Sequence, residues 1–113
     1  MCENRVLGVA TSPDGARDAV RFERNCGATT GFSTQVSVLL HGERPTKSGN
    51  VFVADGDHGK AASAPWGGPW AELRWLGKHD LLVSYDGDAR VFRQEREWSG
   101  ARIRYAAVSR RSN

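Results

Sequence analysis

Three groups of residues in this chain are of the types that chemistry uses. Cys26 lies within "RFERNCGATTGFSTQVSVLL", Arg21 to Leu40, and carries a candidate nucleophilic thiol. Such a thiol needs a lowered pKa, supplied by a cation, a histidine base or a helix N-terminus. Arg24 is close, and the Gly-Ala-Thr-Thr-Gly stretch would present backbone N–H groups as an anion nest. No histidine lies nearby in sequence, and the stretch lacks the strand-to-helix pattern of a nucleophile elbow. The favoured reading is a strand-to-strand connection whose small residues pass close to another sheet, with Thr29, Thr30 and Ser33 bonding its polar groups. Cys26, Thr29 and Thr30 remain candidate binding residues.

The second group is Asp55, Asp57 and His58 in "ADGDHG", with His41 as a fourth ligand to consider. Calcium wants more oxygen atoms than these supply, and zinc more nitrogen or sulfur. If Phe32–Leu40 pairs with Val51–Asp55, His41 stands about 13 Å from Asp55 at strand spacing. A polar turn is therefore expected, with no metal and no cofactor. The third group is Trp66 and Trp70 in "PWGGPW". Tryptophans in a Gly/Pro loop mark a contact surface for a partner, unless Trp70 starts a strand and Trp66 folds back over the sheet edge.

Arginines are frequent near the C-terminus: Arg90, Arg93, Arg96, Arg102, Arg104, Arg110 and Arg111. Asp88, Glu95 and Glu97 interleave with them, and the net charge is only +3. A nucleic-acid footprint needs clustered charge, so no nucleic-acid partner is expected.

These side chains have to be held by strands. Apolar and polar residues alternate in "DAVRFER", where Val20 and Phe22 share one face, and in "FSTQVSVLL", where Phe32, Thr34, Val36, Val38 and Leu40 do. "AELRWLG" sets Ala71, Leu73 and Trp75 against Glu72 and Arg74, and "LLVSY" aligns Leu81, Val83 and Tyr85. Trp75 and Trp98 fall at strand positions that cover a sheet. No amphipathic helix longer than a turn or two is present. Thirteen glycines and four prolines in 113 residues add frequent turns. The fold class is all-β: one domain, an antiparallel sandwich or strongly curled sheet of seven or eight short strands.

Asp86-Gly87 and Ser99-Gly100 read as hairpin turns, making Ala71–Val108 a four-strand antiparallel meander. A two-residue turn at Ser99-Gly100 sets Trp98 against Ala101, Glu97 against Arg102 and Glu95 against Arg104. Residues 56–69 form one long irregular loop, of the length at which loops are either functional or disordered, and residues 1–5 and 109–113 are expected to be loose. Two cysteines, Cys2 and Cys26, allow one disulfide, two free thiols or one modified cysteine. No apolar run approaches the roughly twenty residues of a membrane span.

"SPDG" at Ser12–Gly15, "CGATT" at Cys26–Thr30, "STQVS" at Ser33–Ser37, "GNVFVAD" at Gly49–Asp55 and the stretch from Trp75 to Phe92 form one pattern. It resembles an uncharacterised family of small bacterial lipoproteins, over nearly the whole chain. The resemblance implies a mature chain beginning at a lipid-modified Cys2, with Met1 in place of a signal peptide. It therefore implies the bacterial cell envelope, membrane contact only through lipid at Cys2, and no particular activity; with Met1 as the natural start the chain would be cytoplasmic. The expected function is non-enzymatic binding of a protein partner as inhibitor, immunity factor or accessory subunit. The alternatives are a thiol-dependent enzyme using Cys26, or a cytoplasmic mobile-element protein that forms a homodimer through an edge strand.

Overall fold

The computed structural model describes residues 2–27 and 32–109, and every regular element among them is a strand. β1 (Glu3–Thr11) and β2 (Arg17–Asn25) form a hairpin, followed by β3 (Ser33–Leu40) and β4 (Phe52–Asp55). Then come β5 (Ala71–Gly77), β6 (Asp80–Asp86), β7 (Arg90–Gln94), β8 (Glu97–Trp98) and β9 (Ala101–Val108). They stack as two sheets, one in the order β1-β2-β3-β4-β7 and the other in the order β5-β6-β9-β8. This is the all-β sandwich that the alternating residues require. Glu3 to Arg5, expected in a loose end, instead pair with Glu23 to Asn25.

Turn chemistry explains two of the connections. In the β1–β2 turn the Gly15 N–H donates to the Ser12 carbonyl at 2.8 Å, and the Asp14 carboxylate accepts from the Ser12 hydroxyl at 2.7 Å. Ser99 and Gly100 both have positive φ, 50° and 81°, the signature of the tight turn whose twist suits a hairpin. Trp98 accordingly faces Ala101, and Glu97 faces Arg102. That register runs one step further, to the Ile103 N–H on the Arg96 carbonyl at 2.8 Å, and stops there. The Glu95 N–H donates to the Val51 carbonyl of the other sheet at 2.8 Å, so Glu95 never meets Arg104. Arg102 pairs with Asp80 of β6 at 3.0 Å instead of with Glu97.

The antiparallel meander expected over Ala71–Val108 does not form. Asp86 begins a turn, closed by the Ala89 N–H on the Asp86 carbonyl at 3.0 Å, but the chain leaving it crosses to the first sheet. β7 pairs there with β4, and β9 takes the place beside β6 with its chain running parallel. Parallel neighbours need a crossover between them, and the excursion through β7 and β8 supplies it.

The core lies between the sheets. Ala19, Val36, Val38, Phe52 and Ala54 from one side meet Leu81, Val83, Ala101 and Ile103 from the other. The rings of Phe52, Tyr85 and Tyr105 stand 5.3 to 6.5 Å apart, and the Tyr105 hydroxyl bonds the Val51 and Glu95 carbonyls at 2.9 and 2.6 Å. Val20 and Phe22 are buried too, on the opposite face of the first sheet, across from Ser37 and Gln35. Residues 41–50 fold over that face: Gln35 accepts from the Gly49 N–H at 2.7 Å and Ser37 from the Asn50 N–H at 3.1 Å. The Asn50 side chain accepts from the Val38 N–H and donates to the Val38 carbonyl, standing in for a neighbouring strand. A Cβ at Gly49 would stand 2.8 Å from the Val36 carbonyl oxygen, so only glycine lets the segment come this close.

Residues 56–69, expected as one irregular loop, are two tight turns with a Ser63–Pro69 bridge closing the second. Truncating the buried Phe52 to alanine should lower the unfolding free energy by about 3–5 kcal/mol. The exposed Phe92→Ala should stay within about 0.5 kcal/mol. Urea denaturation of both variants measures the contrast, and equal losses would move Phe92 into the core.

Candidate functional site

At the end of the sandwich where β2 finishes and β3 begins, an open cleft of about 590 Å³ is cut into the first sheet. Arg24 and Cys26 come from the end of β2, Phe32, Ser33 and Gln35 from the start of β3, and Asp55 to Gly59 from the end of β4 and its turn. Arg90 and Phe92 of β7 close the far side. Its volume is that of a small-ligand or side-chain pocket.

Two exposed rings set its character. Phe32 is 52% exposed and Phe92 is 61% exposed, although alternation placed both with core residues. Phe32 precedes β3 and lies across Gly67, where a Cβ would stand 2.9 Å from its ring. Phe92 is turned outward at a bulge, since Arg93 opposes Val53 and Val91 opposes Ala54, leaving Phe92 unpaired between them. The Arg90 guanidinium sits 5.0 Å from the Phe92 ring centroid, a cation–π contact.

Arg90 also grips Asp55 through two parallel bonds, Nε to Oδ1 at 3.1 Å and Nη2 to Oδ2 at 2.7 Å. That grip holds the Asp55 carboxyl below its usual range, against the opposing effect of burial. Asp57 takes the Lys60 ammonium at 3.5 Å and the third Arg90 nitrogen at 3.8 Å. Asp57 and His58 occupy consecutive left-handed conformations, φ 51° and 55°, in a turn closed by the Gly59 N–H on the Gly56 carbonyl. The turn leaves His58 exposed on the cleft rim. Asp55, Asp57 and His58 lie together on this polar turn; among the described residues no three His, Cys, Asp or Glu side chains gather as a metal site.

His41 is elsewhere. β3 runs from Ser33, beside Asp55, to Leu40, so its whole length separates His41 from the cleft. The His41 ring bonds Asp18 at 3.0 Å instead. Asp18 is buried, which would raise its pKa, but the Gly42 N–H, His41 and the Thr11 hydroxyl together hold it below the ordinary value.

Cys26 is joined to Cys2, continuing the β1–β2 pairing one step past Glu3 and Asn25. The sulfur proposed as a nucleophile is thus bonded, and the Cys2 sulfur cannot carry a lipid thioether while this bond stands. Thr29 and Thr30 lie outside the described residues. Trp66 turns inward rather than offering an open face: its indole N–H donates to the Thr34 hydroxyl at 2.8 Å, and the Arg21 guanidinium covers its ring at 4.6 Å. Trp70 is half-buried just before β5. Trp75 is half-buried and bonded to the Ala10 carbonyl, whereas Trp98 is exposed on the β8–β9 hairpin.

The cleft residues that alternation does not single out are Phe32, Phe92, Arg24 and Arg90. The bulge and the strand ends that expose the rings leave no mark in a period-two pattern. Comparison with known proteins returned no family model, no curated protein and no solved structure that matches this chain.

Both Asp18 and Asp55 bind protons less readily folded than unfolded, so their stabilisation is complete above the unfolded carboxylate pKa of about 3.9. It is lost as pH falls through the lower, folded values. Asp18→Asn should cost about 1–3 kcal/mol at pH 7 and Asp55→Asn about 1 kcal/mol or less, given the exposure of Arg90. Both differences should shrink towards zero near pH 2 in urea titrations; a pH-independent penalty would contradict the assigned charge states.

Proposed function

We propose that this chain is a non-enzymatic binding domain of the bacterial cell envelope, which takes a protein partner as inhibitor, immunity factor or accessory subunit. The observation that carries the reading is the pair of exposed rings, Phe32 and Phe92, on one cleft with Arg24 and Arg90. Aromatic residues and arginine are the side chains that dominate binding energy in protein interfaces. The cleft's two aspartates are occupied by Arg90 and Lys60, whereas the Arg24 guanidinium bonds, among the described residues, the neutral Asn4 side chain at 2.7 Å. A partner segment with an apolar side chain for the rings and an acidic one for Arg24 fits this balance.

The Cys2–Cys26 bond supports an oxidising compartment, where such bonds persist. Envelope placement in this reading rests on that bond and on the resemblance to small lipoproteins, not on lipid at Cys2. The thiol-enzyme alternative keeps one observation in its favour, since Cys26 and His58 line the same cleft. It requires the bond to Cys2 to be opened first.

The test is cross-linking in the envelope of a bacterial host that carries the native gene neighbourhood. The intact chain should capture one partner, identified by mass spectrometry, and the Phe32→Ser/Phe92→Ser variant should lose it with an unchanged melting temperature. Equal capture by both would overturn the cleft as the contact surface. Rapid alkylation of Cys26 after mild reduction, slowed in His58→Ala, would turn the reading to the thiol enzyme.

A further inference from the structure

The flank of the sandwich formed by β1 and β5 is built differently from the cleft and shares no residue with it. Both strands are sheet edges. The Trp75 indole N–H ties β5 to β1 through the Ala10 carbonyl, and Arg21 Nη1 of β2 ties it to the first sheet through the Ala71 carbonyl, each at 2.7 Å. Between the edges runs a groove of about 390 Å³, lined by Gly8, Val9 and Ala10 on one side and Glu72, Leu73 and Arg74 on the other.

Arg21 lies at the floor of this groove. Its side chain points between the sheets, pinned by the Ala71 carbonyl and the Trp66 ring. Nε is buried and has no hydrogen-bond partner among the described residues, which is uncommon in a folded chain. Arg90 shows what Nε and Nη2 do together, because there the same two nitrogens hold both oxygens of Asp55. In Arg21 this fork carries no carboxylate. Burial lowers the Arg21 pKa and the charge of Glu72 on the rim only partly offsets this; the two form no ion pair. Gly8, opposite Arg21 in the neighbouring strand, gives the guanidinium its room, since a Cβ there would stand 3.3 Å from Nη2 and 3.9 Å from Nε.

The strand edge next to the fork is equally open. Past the bulge at Leu7, Gly8 to Thr11 run in regular register, contain no charged residue, and carry Val9 at 56% exposure. Natural edges are usually blunted by charge, proline or brevity, and an unblunted one is a template for an added strand. A strand laid along β1 would place the side chain opposite Gly8 over the guanidinium fork. We infer that the β1–β5 groove receives an extended peptide segment of a partner protein, paired along β1, with a glutamate or aspartate side chain seated on Arg21. Main-chain bonds along the edge supply affinity, and the single carboxylate supplies selectivity. The carboxylate specifies an acidic partner segment.

The probe is the capped peptide Ac-Thr-Val-Glu-Val-Thr-NH₂, titrated into the folded, oxidised chain while the ¹H–¹⁵N resonance of Arg21 Nε is followed. The glutamate peptide should shift this resonance saturably, and the glutamine analogue should bind at least tenfold more weakly. Gly8→Val should abolish the shift, since a Cβ there already stands 3.3 Å from Arg21 Nη2. Binding that survives Gly8→Val, equal binding of the glutamate and glutamine peptides, or no shift at all would overturn the inference. Acetate binding as tightly as the peptide would overturn it too, leaving a simple anion site. Phe32→Ser/Phe92→Ser should leave the titration untouched, so this result and the fate of the cleft reading are separable.

Discussion

Strand β3 is buried from both sides, and its polar side chains must therefore find partners inside the protein. An unpaired buried hydroxyl or amide costs more than a made hydrogen bond returns. Thr34 donates to the Pro69 carbonyl and accepts from Trp66, Gln35 accepts from Gly49, and Ser37 accepts from Asn50. The result is that both long connections are docked onto one strand, residues 41–50 on its outer face and 63–70 at its inner end. Gly49 and Gly68 fit this role because a Cβ at either would collide with β3. The cleft inherits its shape from the same docking, since Phe32 rests on Gly67 and Gln35 lies on the cleft wall.

The second organising feature is the double crossing of the chain between the layers. After β6 it passes to the first sheet as β7 and returns as β8, so the C-terminal strand completes the second sheet from within. The crossings are held by specific bonds: the Gly87 N–H to the Val108 carbonyl, the Glu95 N–H to the Val51 carbonyl, and the Tyr105 hydroxyl to both Val51 and Glu95. Tyr105 belongs at once to the aromatic core and to this clasp. Burial and proximity to Glu95 push its phenol well above the ordinary tyrosine range, which keeps the hydroxyl proton in place for both bonds.

Two surfaces stand out against this frame, and each is made of a side chain used in an unusual place. At one end, two phenylalanines are exposed where a bulge and a strand end release them from the core. On the flank, an arginine points inward where an apolar residue would ordinarily pack, and a glycine leaves it room. In the readings proposed above, both surfaces recognise a protein segment. They would also divide the work: the cleft offers rings and cations to a protruding segment, and the flank offers a strand edge.

Much of the local structure is readable from the residues alone. Alternation reveals the strands and their inward residues from Val36 through Ile103, and Ser12–Gly15 and Ser99-Gly100 declare their turns, because side-chain period and positive-φ preference act within a few residues. The polar turn at Asp55–Gly59 follows for the same reason. What alternation cannot say is which strand lies next to which, since a period of two is the same for a hairpin partner and for a strand in the other sheet. The parallel β6–β9 pair, the burial of Val20 and Phe22 away from the inter-sheet core, the inward Trp66 and the Cys2–Cys26 bond were decided only by the tertiary fold. Each depends on groups far apart in the chain being brought within bonding distance, and that distance is set by how the two layers pack.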